Sequence, residues 1–107
     1  MTVIEKNEQG KVLLKIARAA ITRSLRVPCE SAAVERHIAW LSKPGATFVT
    51  LMQRGALRGC IGSLEANEPL IDDVSNNAVS AALRDPRFLP LTADELSTVE
   101  IEVSLLS

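Results

Sequence analysis

In the stretch Leu57-Arg58-Gly59-Cys60-Ile61-Gly62 a guanidinium and a thiol stand on alternate residues between glycines. In an extended strand side chains alternate faces, so Arg58 and Cys60 are expected on one face and Leu57 and Ile61 on the other. A guanidinium beside a thiol favours the thiolate, the condition for a nucleophile, a metal ligand or a redox-sensitive cysteine. On that reading Cys60 is the catalytic nucleophile and Arg58 lowers its pKa or binds an anionic group. Glycine within a strand marks a bulge or a place where a ligand or backbone comes close. A second reading is therefore a non-catalytic ligand- or protein-binding module, in which Gly59 and Gly62 admit the ligand and Arg58 anchors a carboxylate or phosphate. A third makes the hexapeptide a folding element, with Cys60 packed as a small hydrophobe.

Three further residues are candidates for the ligand site. Asn77 lies near the buried stripe of a helix and needs partners there, either on a neighbouring strand or loop or on a ligand. Asp85 and Arg87 flank a proline turn, where such a pair is either a loop staple or part of the site. Cys29 and Cys60 have no CxxC spacing, and His37 is the single histidine. The expectation is therefore no metal and no cofactor.

A chain of 107 residues with 47% hydrophobic residues makes one folded domain, spanning residues 1–107. A 3% aromatic share without tyrosine leaves an aliphatic core and no stacking platform for bases. Net charge −1 and a pI near 5.8 argue against nucleic acid held on a broad basic surface. No apolar run reaches the roughly 20 residues of a membrane span, and the polar start Glu5-Lys6-Asn7-Glu8 is unlike a secretory signal. A cytoplasmic location is expected.

The elements that must position these residues follow from periodicity. Val12, Leu13, Ile16, Ala17, Ala20 and Ile21 recur at helical spacing from about Asn7 to Leu25, with Lys11, Lys15, Arg18 and Arg23 on other faces and Val27-Pro28 as the stop. Residues Ser31 to Leu41 fit a second short helix burying Val34, Ile38 and Leu41, or a loop with one helical turn. Lys43-Pro44-Gly45 breaks the chain before a strand from Ala46 to Gln53. Arg54-Gly55 then turns into a strand from Ala56 to about Leu64, completing a hairpin. Glu68-Pro69 opens a helix running to about Arg84, with Leu70, Val74, Ala78 and Ala81 buried, and Asp85-Pro86 ends it. Thr92-Ala93-Asp94-Glu95 is a capping box, and Val99 to Leu106 alternates as a half-buried strand. The expected fold is α+β, a mainly antiparallel sheet packed by helices, in the order helix, optional second helix, hairpin, helix, strand.

Phe48-Val49-Thr50-Leu51, the hexapeptide, Asp85-Pro86-Arg87-Phe88 and Ile101-Glu102-Val103-Ser104-Leu105 together resemble the AMMECR family, known in bacteria from the AmmeMemoRadiSam system. The likeness covers Ala46 to Ser107 strongly and Val12 to Leu25 moderately. It implies an α+β fold with two unequal lobes and a cleft to which the hexapeptide strand contributes; in the enzyme reading Asp85 or Arg87 lines that cleft. It also implies that this chain corresponds to about the N-terminal half of the family domain. Family members occur beside, or fused to, a Memo-type protein and beside a radical S-adenosylmethionine protein, which makes both implied partners. The resemblance carries no settled activity or substrate; on it, this chain is a cysteine-dependent enzyme component of that system or a binding module within it.

Overall fold

The computed structural model describes residues 2–3, 8–27 and 38–106. Their elements run β1 (Thr2–Val3), α1 (Glu8–Ser24), a 3₁₀ turn (Ala39–Ser42), β2 (Pro44–Gln53), β3 (Ala56–Gly62), β4 (Glu68–Pro69), α2 (Leu70–Leu83), a second 3₁₀ turn (Ala93–Glu95) and β5 (Val99–Leu106). The sheet order is β1-β5-β2-β3, with β4 pairing the start of β2, and every described pairing is antiparallel. This is the α+β arrangement that the periodicities predict.

One face of the sheet carries the core. Val49 and Leu51 of β2 stand in register with Val103 and Ile101 of β5 and pack with Leu13, Ile16, Ala17 and Ile21 of α1 and Val74, Ala78 and Ala81 of α2. Strand alternation turns Phe48, Thr50 and Met52 of β2, with Glu100, Glu102 and Ser104 of β5, to the opposite face. Neither α1 nor α2 lies there, and Glu100 and Glu102 are exposed.

Helix α1 ends at Ser24, and Arg26 takes a left-handed conformation, φ 60°, while Val27 N–H donates to the Thr22 carbonyl at 3.1 Å. The stop is thus a C-terminal cap before the proline is reached. Of the 31–41 segment, residues 31–37, with Ser31, Val34 and His37, lie outside the described residues, as does Cys29; the described remainder contains the 3₁₀ turn, with Leu41 buried.

Two boundaries differ from expectation, and one cause explains both. Pro44 and Gly45 belong to β2 instead of breaking the chain, because they pair with Pro69 and Glu68 of β4. That pairing draws Glu68-Pro69 into a strand, so α2 begins at Leu70, whose N–H donates to the Lys43 carbonyl at 2.8 Å. A side chain at position 45 would overlap Leu70, its Cβ only 2.7 Å from Leu70 Cδ1. Glycine is therefore the residue that lets α2 start against the sheet. The hairpin turn is as expected: Arg54 and Gly55 both have positive φ, 53° and 79°, as a two-residue turn matched to strand twist requires.

Candidate functional site

The hexapeptide occupies most of β3, the edge strand beside β2, and its register is not uniform. Cys60 faces Thr50 and Gly59 faces Leu51, but Met52 faces Leu57. Arg58 is therefore the additional residue of a β-bulge, a device that re-aims a side chain. Simple alternation across the hexapeptide fails at this point. Leu57 shares the Cys60 face, since Met52 and Thr50 share one face of β2, and Leu57 is 39% exposed there.

The bulge delivers Arg58 to the loop after α2. Its Nε donates to Glu95 Oε2 at 3.0 Å and its Nη2 to Glu95 Oε1 at 2.9 Å, a bidentate pair. Nη1 donates to the Leu89 carbonyl at 2.8 Å and Nη2 also to that of Pro90 at 3.4 Å. Glu95 in turn closes the capping box, accepting from Thr92 N–H at 3.0 Å. The bonds from Arg58 hold the Glu95 carboxyl down at about 2 against an ordinary 4.5; burial opposes them and the Thr92 N–H assists. The same pair raises the pKa of Arg58. No hydrogen bond joins the Arg58 guanidinium to Cys60.

Cys60 is half-buried, with its Sγ 3.3 Å from Thr50 Oγ1 across the strand pair. Its peptide N–H donates to Asp85 Oδ2 at 3.0 Å, and its carbonyl accepts from Arg87 Nη2 at 3.5 Å. Asp85 and Arg87 form a close pair: Nη2 lies 2.7 Å from Oδ2, and Nε donates to Oδ1 at 3.0 Å. The Arg87 bond holds Asp85 far below the usual carboxylate range; burial opposes it and the Cys60 and Arg87 backbone N–H groups reinforce it. The Arg87 pKa is raised, chiefly by Asp85. Arg87 and Asp85 thus meet the backbone of Cys60, whereas the bulge turns Arg58 to Glu95.

Both glycines are occupied by the protein's own atoms. A Cβ on Gly59 would overlap the Ala81 carbonyl oxygen of α2, and one on Gly62 would overlap the Phe48 ring. The close approach that glycine signals in a strand is here made by helix backbone and an aromatic ring.

Asn77 belongs to a second polar centre, away from Cys60. Its Nδ2 donates to the Thr47 carbonyl at 3.0 Å and to Ser63 Oγ at 3.0 Å, which ties α2 to β2 and to the loop after β3. Asp73, only 2% exposed, gathers this cluster: Oδ2 accepts from Thr47 N–H at 2.6 Å and Thr47 Oγ1 at 2.8 Å, and Oδ1 from Ser63 Oγ at 2.6 Å. An open depression of about 540 Å³ adjoins it, lined by Ser63, Leu64, Glu65, Asn67, Glu68 and Asp73. Among the described residues no group of three His, Cys, Asp or Glu side chains is arranged to hold a metal ion.

Sequence reasoning groups Arg58 and Cys60 on one strand face with Asp85 or Arg87 lining the same cleft, and it misses Glu95 and Thr50, which bond to Arg58 and Cys60. Thr50 was legible once a hairpin about Arg54-Gly55 was set out residue by residue, since the register pairs it with Cys60. Glu95, 37 residues from Arg58, left only its capping-box role as a local signal. Asp73, Thr47 and Ser63 were missed as partners of Asn77.

Comparison with known proteins agrees with this architecture. A protein of Methanothermobacter thermautotrophicus is 42% identical over 106 residues, covering 94% of this chain and 52% of its own length. One from Aeropyrum pernix is 40% identical over 105 residues, covering 91% and 43% respectively. The crystal structure of an uncharacterised protein from Pyrococcus horikoshii superposes with a TM-score of 0.84 at 33% identity, covering 94% of this chain and 52% of that one. The chain thus spans about half the length of the relatives it matches. The family model AMMECR1 matches residues 14–107, and the chain belongs to the AMMECR1 family.

Proposed function

We propose that this chain serves its family as a binding module, meeting a protein partner on the sheet face that carries Thr50, Met52, Leu57 and Cys60. The observation that carries the reading is the commitment of Arg58 to Glu95 and of Asp85 to Arg87. A nucleophilic cysteine is commonly activated by a base within hydrogen-bond reach of its sulfur. Among the described residues the side chain bonded to Cys60 Sγ is the Thr50 hydroxyl, which is no base at neutral pH. Half-exposed apolar groups on a face that neither helix covers supply contact area instead.

The partners to test are those implied by the family, a Memo-type protein first and a radical S-adenosylmethionine protein second. Isothermal titration of this chain against each is the experiment. Thr50→Lys, which sets a charge on the face, is expected to weaken binding by about tenfold or more, whereas Cys60→Ala leaves it within a small factor. Binding indifferent to Thr50→Lys overturns the reading.

A second reading keeps Cys60 as the nucleophile of an enzyme component in a cytoplasmic pathway. It is favoured by Arg87, whose side chain is 56% exposed and whose guanidinium reaches the Cys60 carbonyl. On this reading a base comes from outside the described residues, and Arg87→Ala slows alkylation of Cys60 near neutral pH while leaving the fold intact. Equal alkylation rates in the two proteins would remove its support.

A further inference from the structure

We propose that residues 85–95 are an edge guard, which terminates the sheet at β3 and holds that strand closed against antiparallel pairing with β3 of a second copy of this chain. An edge strand presents unpaired N–H and C=O groups and is a template for further strands unless something blocks it. Cys60 carries such an outward pair, because its N–H and carbonyl point away from β2. Both are taken up by one ion pair, Asp85 accepting from the N–H at 3.0 Å and Arg87 donating to the carbonyl at 3.5 Å. Carboxylate and guanidinium thus stand where the backbone of a neighbouring strand would be.

Two features make this a terminus and not merely a further strand. The segment carries Pro86 and Pro90, which lack an N–H and cannot extend a ladder. Arg58 reaches out from the β3 bulge to the Leu89 and Pro90 carbonyls and to Glu95, so the strand itself fastens the segment at its far end. The guard is thus bonded at both ends to the strand it covers, leaving Leu89 outside, 82% exposed. With the guard removed, two copies of β3 can pair about a two-fold axis near Cys60, each presenting the same groups to the other.

The test compares the chain with its Asp85→Ala/Glu95→Ala variant by light scattering over a concentration series and by amide hydrogen exchange. In the parent chain the Cys60 amide is expected to exchange slowly and the mass to be independent of β3. In the double variant the Cys60 amide is expected to exchange on the order of tenfold faster or more at low concentration, and to be protected again as a dimer forms at high concentration. A folded double variant that never associates through β3 overturns the proposal, whether it stays monomeric with a fast Cys60 amide or forms dimers in which that amide remains fast. An amide unaffected by the substitutions overturns it equally. If circular dichroism shows the double variant unfolded, the same readings are taken on Asp85→Asn and on Arg87→Ala, each of which removes part of the cap.

Discussion

At the scale of single residues, the glycines and arginine of the hexapeptide are explained by what they touch. Gly59 admits the Ala81 carbonyl, a backbone group that cannot swing aside, while Gly62 admits the Phe48 ring, which can. Gly59→Ala is therefore expected to cost about 1–3 kcal/mol of stability by overpacking, and Gly62→Ala less. Urea unfolding midpoints at unchanged slope check the order. Arg58 shows the reach and limit of reading a strand locally. Its type and its place in a strand were legible, but its direction was not, because one bulge between Leu51 and Met52 reassigns it. A register shift leaves no periodic trace in a segment this short.

Among the elements, the contact of α2 with β2 rests on a buried carboxylate that accepts a backbone N–H. Asp73 takes the Thr47 amide and hydroxyl together and is held by Asn77 Nδ2 at 3.1 Å and by Ser63. Removing it leaves the Thr47 N–H buried without an acceptor, at a cost of about 1–3 kcal/mol. Asp73→Ala is accordingly expected to lower the thermal midpoint by several degrees, and Asp73→Asn, which keeps one oxygen, to lie between it and the parent chain; scanning calorimetry checks both. The Asn77 stripe position was visible from helix spacing, and the need for a partner followed from its amide. The partner's identity depended on which turn of α2 meets Thr47, and that is set by the β4 pairing at Pro44-Gly45. Pro44 read as a breaker for the same reason: a pairing two residues long has no signature of its own.

For the whole molecule, Asp85 and Glu95 make stability depend on acidity. Both carboxyls have folded pKa values depressed by arginine partners, so each stabilises the chain fully above its unfolded value and loses that contribution as pH falls towards the folded one. For Glu95 the window runs from its ordinary 4.5 down to about 2, with Asp85 extending further into acid. Chemical unfolding between pH 5 and about 2 is expected to show steadily falling stability, with a shallower slope in Glu95→Gln. The described chain is also a sheet with helices on one face, about half the length of the relatives it matches.

What the sequence by itself determined is what neighbours along the chain encode: the apolar stripe of α1, the Arg54-Gly55 turn, the Thr92 to Glu95 capping box, the alternation of β5 and, from these, an α+β sheet. Such signals arise from the helical period, the strand period and the φ preferences of single residues, all of which act within a few positions. The tertiary structure alone decided that Arg58 bonds Glu95, that Asp85 and Arg87 bond the Cys60 backbone, and that helix and ring fill the spaces over the glycines. Those pairings join residues brought together by register and packing, and a shift of one residue in β3 would exchange every one of them.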